Sequence, residues 1–204
     1  MKKLQSTLPN MILSLGVITV VAGALLGGMY AITKDPIAEA ERKTLTASIA
    51  EVAPKFNNSP EADMDSVKMG DLEFIIYPAI YDGSLEGAAV LGTTMDGFSG
   101  EVTILCGFEK DGTVKDYRVI RHAETPGLGA KMQEWFRDPA GSRSVIGKNP
   151  SEWNFTVTKD GGQVDAITAA TISSRAFLNV MRDAYMAYKG YAEKSGVEIA
   201  DLKK

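Results

Sequence analysis

Residues 165–174 read Asp-Ala-Ile-Thr-Ala-Ala-Thr-Ile-Ser-Ser and stand at the start of a long stretch with helical periodicity. Asp165, Thr168, Thr171, Ser173 and Ser174 crowd four hydroxyls and one acid into ten positions. A helix start leaves backbone N–H groups without intrahelical partners, and Thr, Ser and Asp side chains often accept from them. One cap accounts for one such residue, and here there are five. The same N–H groups, with the partial positive charge of a helix N-terminus, also favour a phosphate. Small Ala169 and Ala170 leave room for a ligand to approach the backbone. From composition, capping and phosphate binding both remain open.

A second segment, residues 122–131, reads HAETPGLGAK. Thr125-Pro126-Gly127 is turn chemistry, with proline setting φ and glycine admitting positive φ. His122 and Cys106 are the only histidine and the only cysteine. One of each excludes an internal disulfide, a CxxC metal site and a multi-histidine metal site within the chain. His122 lacks a nucleophile in triad relation and reads as a structural polar residue. Cys106, inside VTILCGF, reads as a small buried hydrophobe. Asp111, Asp116 and Asp138 lack the spacing of a calcium loop. The net charge of −4 carries no basic footprint for nucleic acid.

The elements that must position these segments follow from periodicity. Strand signals run over Leu72–Tyr81 and over 87–93, 101–108 and 113–121, with Asp111-Gly112 as a hairpin turn. A short helix is expected over 130–137, another strand over 153–158 and a turn at Gly161-Gly162. Phe177, Val180, Met181, Ala184, Tyr188 and Tyr191 recur at three- and four-residue spacing along one side of a final long helix. This order predicts an α+β domain with a largely antiparallel sheet and flanking helices.

Ahead of that domain, residues 11–32 (MILSLGVITVVAGALLGGMYAI) hold 22 positions without a charge. At about 1.5 Å rise per residue, such a helix covers a hydrocarbon core of roughly 30 Å. A retained transmembrane anchor is expected, in preference to a buried core helix or a cleaved signal. Gly23 and Gly27 form a GxxxG pair suited to close helix packing. Lys2 and Lys3 precede the span, and Lys34, Arg42 and Lys43 follow it, so charge alone leaves orientation undecided. Pro36 is expected to open a separate connector helix that Pro54 ends, followed by a polar loop over 57–65.

The segment 165–174 resembles the flavinylation motif of FMN-binding domains in two proteins. These are the G subunit of Rnf electron-transport complexes and the C subunit of the sodium-pumping NADH:quinone reductase. The pattern is an acid, two variable residues, Ser or Thr, Gly or Ala, Ala, the modified Thr, two variable residues, then Ser or Thr. Asp165, Thr168, Ala169, Ala170, Thr171 and Ser174 fill it in register, with Ala169 where glycine is more usual. The stretch from Glu124 through Thr125, Gly127 and Leu128 to Gly129 is similar to a second motif of the same proteins.

The resemblance implies FMN joined by a phosphoester to the Thr171 hydroxyl, attached outside the cytoplasm by a separate flavin transferase. It implies that Gly127 and Gly129 let the backbone approach the flavin, that Thr125 and loop N–H groups hydrogen-bond it, and that Lys131 either offsets phosphate charge or is a solvated helix residue. It implies an electron-carrying subunit of a ferredoxin:NAD+ oxidoreductase in the inner membrane, with its domain on the outer, periplasmic side. The partners implied are integral membrane subunits, a second flavin-bearing subunit and iron–sulfur subunits. The domain plan is a tail over 1–10, an anchor over 11–32, a connector over 33–70, an FMN-binding domain over 71–194 and a tail over 195–204. The chain length fits the Rnf-type protein better than its quinone-reductase counterpart. A membrane-anchored regulatory or structural module is the alternative of another class.

Overall fold

A computed structural model describes residues 7–203. The expectations resting on Lys2 and Lys3 therefore lie outside the described residues. The chain divides into two compact units, Met1–Thr44 and Leu45–Lys204.

Helix α1 spans Leu8–Val52. Its apolar part reaches a mean hydropathy of 2.2 with no side chain of that window buried, so it is long and apolar enough to cross a membrane. The expected break at Pro36 is absent, and one helix replaces the anchor and connector pair. Proline removes one donor and crowds the carbonyl four residues back. Strong helix formers on its C-terminal side (Ala38, Glu39, Ala40, Glu41) favour continuation across that local loss.

In the second unit, β1 (Asp65–Met69), β2 (Leu72–Tyr81), β3 (Ser84–Gly97), β4 (Gly100–Glu109) and β5 (Val114–His122) form an antiparallel meander in sequence order. The turn between β2 and β3 is Asp82-Gly83, both at positive φ (48° and 80°), as a two-residue hairpin of right-handed twist requires. β1 was not expected from sequence. It is an edge strand of five residues, DSVKM, in which only Val67 and Met69 turn apolar side chains toward the core, a period-two signal of two residues.

Strand alternation sends side chains to two faces. Val102, Ile104, Cys106 and Phe108 of β4 enter the main core, together with Phe74, Ile76, Ala88 and Val90. There they meet Phe177, Val180, Met181, Ala184 and Tyr188 of the last long helix (Thr171–Lys194, α3 in chain order), the face expected from helical spacing. Phe108 stacks on Tyr188 with centroids 5.6 Å apart, and Phe136 on Phe177 at 4.3 Å. Gly92 allows this approach, since a Cβ there would lie 2.4 Å from the Phe74 ring and 2.9 Å from Val180. Cys106 is fully buried, with its Sγ 3.0 Å from Met181 Sδ. Ile199, within the segment expected to be a tail, is buried in the same core, and Tyr185 donates to the Ala200 carbonyl at 2.7 Å.

The opposite sheet face carries Tyr77, Ala79, Ala89 and Leu105, covered by Ile49, Val52 and Ala53. Lys115 Nζ donates to the carbonyls of Ala53 and Glu51, which satisfies acceptors left free where α1 ends.

Two further expectations change. The helix over 130–137 shrinks to a 3-10 turn, Gly129–Lys131, and a single α-turn, α2 (Met132–Trp135). The strand over 153–158 does not form. Phe155 and Val157 are buried alternately as a strand's would be, but no strand lies alongside to complete a ladder. Val157 makes only an isolated parallel bridge to Val164, around a 3-10 turn at Thr158–Asp160. Gly161 then turns the chain at φ 83°.

Candidate functional site

The two motif segments meet at the start of α3. Thr171 is the helix's first residue, and Ala170 is its N-cap with no side-chain cap bond. Two of the nearby hydroxyls, Ser173 and Ser174, are engaged elsewhere. Ser174 Oγ accepts from the Ile167 N–H and donates to the Ala170 carbonyl, both at 2.9 Å, which holds the preceding turn closed. Ser173 Oγ donates to Glu124 Oε2 at 2.7 Å. The first turn of α3 also contains no acid. Its first-turn N–H groups are the donors an anion would use, with the Glu124 carboxylate already beside them on Ser173.

Ala169 has φ 61°, the left-handed region. An L-residue there costs roughly 1–2 kcal/mol. This explains why glycine is the usual residue at that place in the motif: the constraint is conformational rather than one of crowding. The turn it makes lets residues 165–168 run back beside α2. Asp165 ties this stretch to Trp135 of α2 and to Ser142 in the loop beyond it through three bonds. Its carbonyl accepts from Trp135 Nε1 at 2.9 Å, its Oδ2 accepts from the Ser142 N–H at 3.0 Å, and its N–H donates to the Ser142 carbonyl at 2.9 Å.

Thr171 borders two clefts. One, of about 310 Å³, is lined by Phe98, Glu124, Thr125, Leu128, Gly129 and residues 169–173. Phe98, Leu128 and Ile172 are exposed large apolar side chains beside it, 67%, 40% and 48% accessible. The other, of about 390 Å³, is lined by Trp135, Arg143, Thr158, Lys159, residues 165–169 and Thr171. Arg143 lies over the Trp135 ring at 4.1 Å and pairs with Asp138 at 2.5 Å. The Ala140 N–H and the Arg143 guanidinium hold the Asp138 carboxyl below the usual carboxylate range. Just past Thr171, Arg175 grips Asp160 through two bonds of 2.7 and 2.8 Å, and that pairing lowers the Asp160 carboxyl as well.

Of the residues singled out from sequence, Glu124, Thr125, Leu128, Gly129, Ala169, Ala170 and Thr171 share the first cleft. Asp165 and Thr168 line the second. Gly127, Lys131, Ser174 and His122 line neither. Gly127 has φ 78°, and a Cβ there would meet nothing within 4 Å, so conformation explains this glycine. Gly129 has no positive φ, and its Cβ would lie 2.4 Å from both Glu124 Oε2 and Ser173 Oγ, so packing within the protein explains that one. Sequence reasoning missed Phe98, Trp135, Arg143 and Ile172. Phe98 left a signal, as an aromatic at the tip of a glycine-flanked hairpin, Gly97-Phe98-Ser99-Gly100.

These residues fit a phosphorylated flat ring. The uncapped helix start offers N–H donors to a phosphate, and Phe98, Leu128 and Ile172 offer apolar surface to a ring.

The chain is similar to known proteins. Residues 97–186 match the family described as FMN-binding domain, and that match contains both motif segments and the Phe98 hairpin. Over 199 residues, the chain is 33% identical to a protein from Aliivibrio fischeri named as the G subunit of an ion-translocating oxidoreductase complex, covering 93% of this chain and 94% of that one. Proteins of the same name from Vibrio cholerae and Haemophilus influenzae are 34% and 35% identical. The first covers 84% of this chain and 86% of its own length, the second 81% and 82%.

Proposed function

The chain belongs to the family of G subunits of ion-translocating oxidoreductase complexes, and from that premise we propose that it relays electrons through FMN joined by a phosphoester to Thr171. The observation that carries this is the position of Thr171, the first residue of a helix without a side-chain cap, on the border of two clefts. FMN, when bound, supplies one- or two-electron transfer. The first-turn N–H groups of α3 would hold the phosphate, with Phe98, Leu128 and Ile172 shielding the ring and Thr125 as a hydrogen-bonding neighbour. In the linkage, the Thr171 oxygen takes the place of one phosphate oxygen, and its proton leaves with that oxygen, so the protein gains FMN less water. A threonine hydroxyl is a poor nucleophile without a base. Asp165 borders the same cleft as Thr171, but its Oδ2 is engaged by the Ser142 N–H. A separate flavin transferase therefore makes the bond.

In this proposal residues 11–32 are a single inner-membrane span, and the unit from Leu45 carries the flavin on the outer side. The partners are integral membrane subunits, a second flavin-bearing subunit and iron–sulfur subunits of a ferredoxin:NAD+ oxidoreductase. The test is intact mass and in-gel flavin fluorescence of denatured protein made together with a flavin transferase. Wild type should carry FMN less water, and Thr171→Ala should carry none while remaining folded. Fluorescence persisting in Thr171→Ala would move the bond to another hydroxyl and refute the assignment. Protease added to intact spheroplasts should digest the domain, and protection until lysis would reverse the orientation.

A further inference from the structure

Glu124 is 5% exposed, yet its carboxylate forms part of the wall of the 310 Å³ cleft. Its two oxygens bind different parts of the chain. Oε1 accepts from the Ser99 N–H at 3.2 Å, in the hairpin turn that carries Phe98. Oε2 accepts from the Ser173 hydroxyl at 2.7 Å, in the first turn of α3. Glu124 itself begins the loop that supplies Thr125 and Leu128. One carboxylate thus connects all three segments that form the cleft.

Two glycines admit it. A Cβ on Gly97 would lie 2.3 Å from the Gly100 carbonyl oxygen across the hairpin and 2.6 Å from Oε1, and a Cβ on Gly129 would lie 2.4 Å from both Oε2 and Ser173 Oγ. Neither glycine has positive φ, so space alone requires their missing side chains. The hairpin tip is also re-aimed by a bulge: two residues, Met95 and Asp96, on β3 oppose one, Glu101, on β4 between the pairs Thr94–Val102 and Gly97–Gly100.

We propose that Glu124 is a positioning residue that ties the Phe98 hairpin to the helix bearing Thr171, and that its buried negative charge sets the electrostatics of the cleft. This rests on the flavin assignment above. Two consequences follow, one from reach and one from charge. With the strut in place, the cleft is formed before any ligand arrives. A fixed negative charge at its wall disfavours addition of electrons to a group held there, which lowers the midpoint potential.

Three variants of the full chain separate these consequences. Glu124→Gln keeps the length and loses the charge and one acceptor. Glu124→Asp keeps the charge and loses the reach. Ser173→Ala removes only the helix-side donor. The first measurement is amide hydrogen exchange on protein made without a flavin transferase. Glu124→Asp should exchange roughly tenfold faster at the Ser99 amide, while Glu124→Gln, which keeps a carbonyl acceptor at the same reach, and Ser173→Ala change it less. The second is the flavin midpoint potential of protein made with the transferase. It should rise in Glu124→Gln and stay near wild type in Glu124→Asp. Unchanged exchange at Ser99 in Glu124→Asp overturns the strut, and an unchanged potential in Glu124→Gln overturns the electrostatic role. Ser173→Ala keeps the carboxylate and serves if either Glu124 variant fails to fold: slower or equal exchange at residues 170–174 then overturns the tie. Exchange is read without flavin, and the flavin assignment is decided separately by the wild-type mass. Failure of one is therefore distinguishable from failure of the other.

Discussion

Ala169→Gly should raise the thermal stability of the domain, against the usual effect of placing glycine next to a helix. Ala169 is at φ 61° and is exposed, so the substitution loses no buried contact. Relieving an L-residue from the left-handed region returns roughly 1–2 kcal/mol. Glycine's extra freedom in the unfolded chain takes back about 0.4–1 kcal/mol. The net is a gain of about 0.8 kcal/mol, or roughly 2–3 °C in melting temperature for a domain of this size. If Ala169 were in ordinary helical or extended backbone, the same change would cost about 0.5–1 kcal/mol and lower the melting temperature. The sign decides, so the experiment does not depend on a precise magnitude. Ala169→Val is the partner variant, because a β-branched residue at positive φ is a genuine outlier and should melt several degrees lower. The assay is thermal melting of the full chain in detergent, followed by tryptophan fluorescence. Both tryptophans, Trp135 and Trp153, lie in the domain, and Trp135 Nε1 donates to the carbonyl of Asp165, four residues before Ala169. A lower melting temperature for Ala169→Gly would refute the left-handed turn and the explanation of why glycine is usual there.

Other outcomes follow from the same geometry. Gly129→Ala should destabilise by about 1–3 kcal/mol, because its Cβ would press within 2.4 Å of two buried polar atoms, and should alter the flavin spectrum. Gly127→Ala, with open space around it but φ 78°, should cost about 1–2 kcal/mol and leave the flavin spectrum unchanged; paired melting curves and visible spectra separate the two glycines. Asp160 is held at a lowered pKa chiefly by its hydrogen bond to Arg175, so its contribution is present above the ordinary carboxylate range and lost as pH falls through the folded value. The melting advantage of wild type over Asp160→Asn should therefore be steady near neutral pH and close below about pH 4, and a gap independent of pH would refute the coupling. Burial pushes the Cys106 thiol well above its usual range, so alkylation at pH 8 should proceed only in denaturant; rapid labelling of native protein would contradict its place in the core.

Period-two and period-3.6 patterns identified four of the five strands and the buried face of α3, because alternation and helical spacing are local properties of the chain. An uncharged run of 22 residues was sufficient to mark an apolar helix by length alone. The motif residues were also legible, since Thr171 and the 124–129 loop are contiguous words in the sequence. Where a pattern was weak or needed a partner, sequence failed. The edge strand β1 offers only Val67 and Met69 as an alternating pair, too short a signal to stand out, and residues 153–158 alternate like a strand but make only an isolated bridge among the described residues. Pro36 looks like a boundary in one dimension, yet a single missing donor did not outweigh the helical turns around it. The site itself is a tertiary fact. Phe98, Glu124 and Ser173 are separated by 25 or more residues and are brought together by a bulged hairpin, a carboxylate threaded between two glycines and a helix start. Their meeting depends on contacts between distant parts of the chain, which no local pattern encodes.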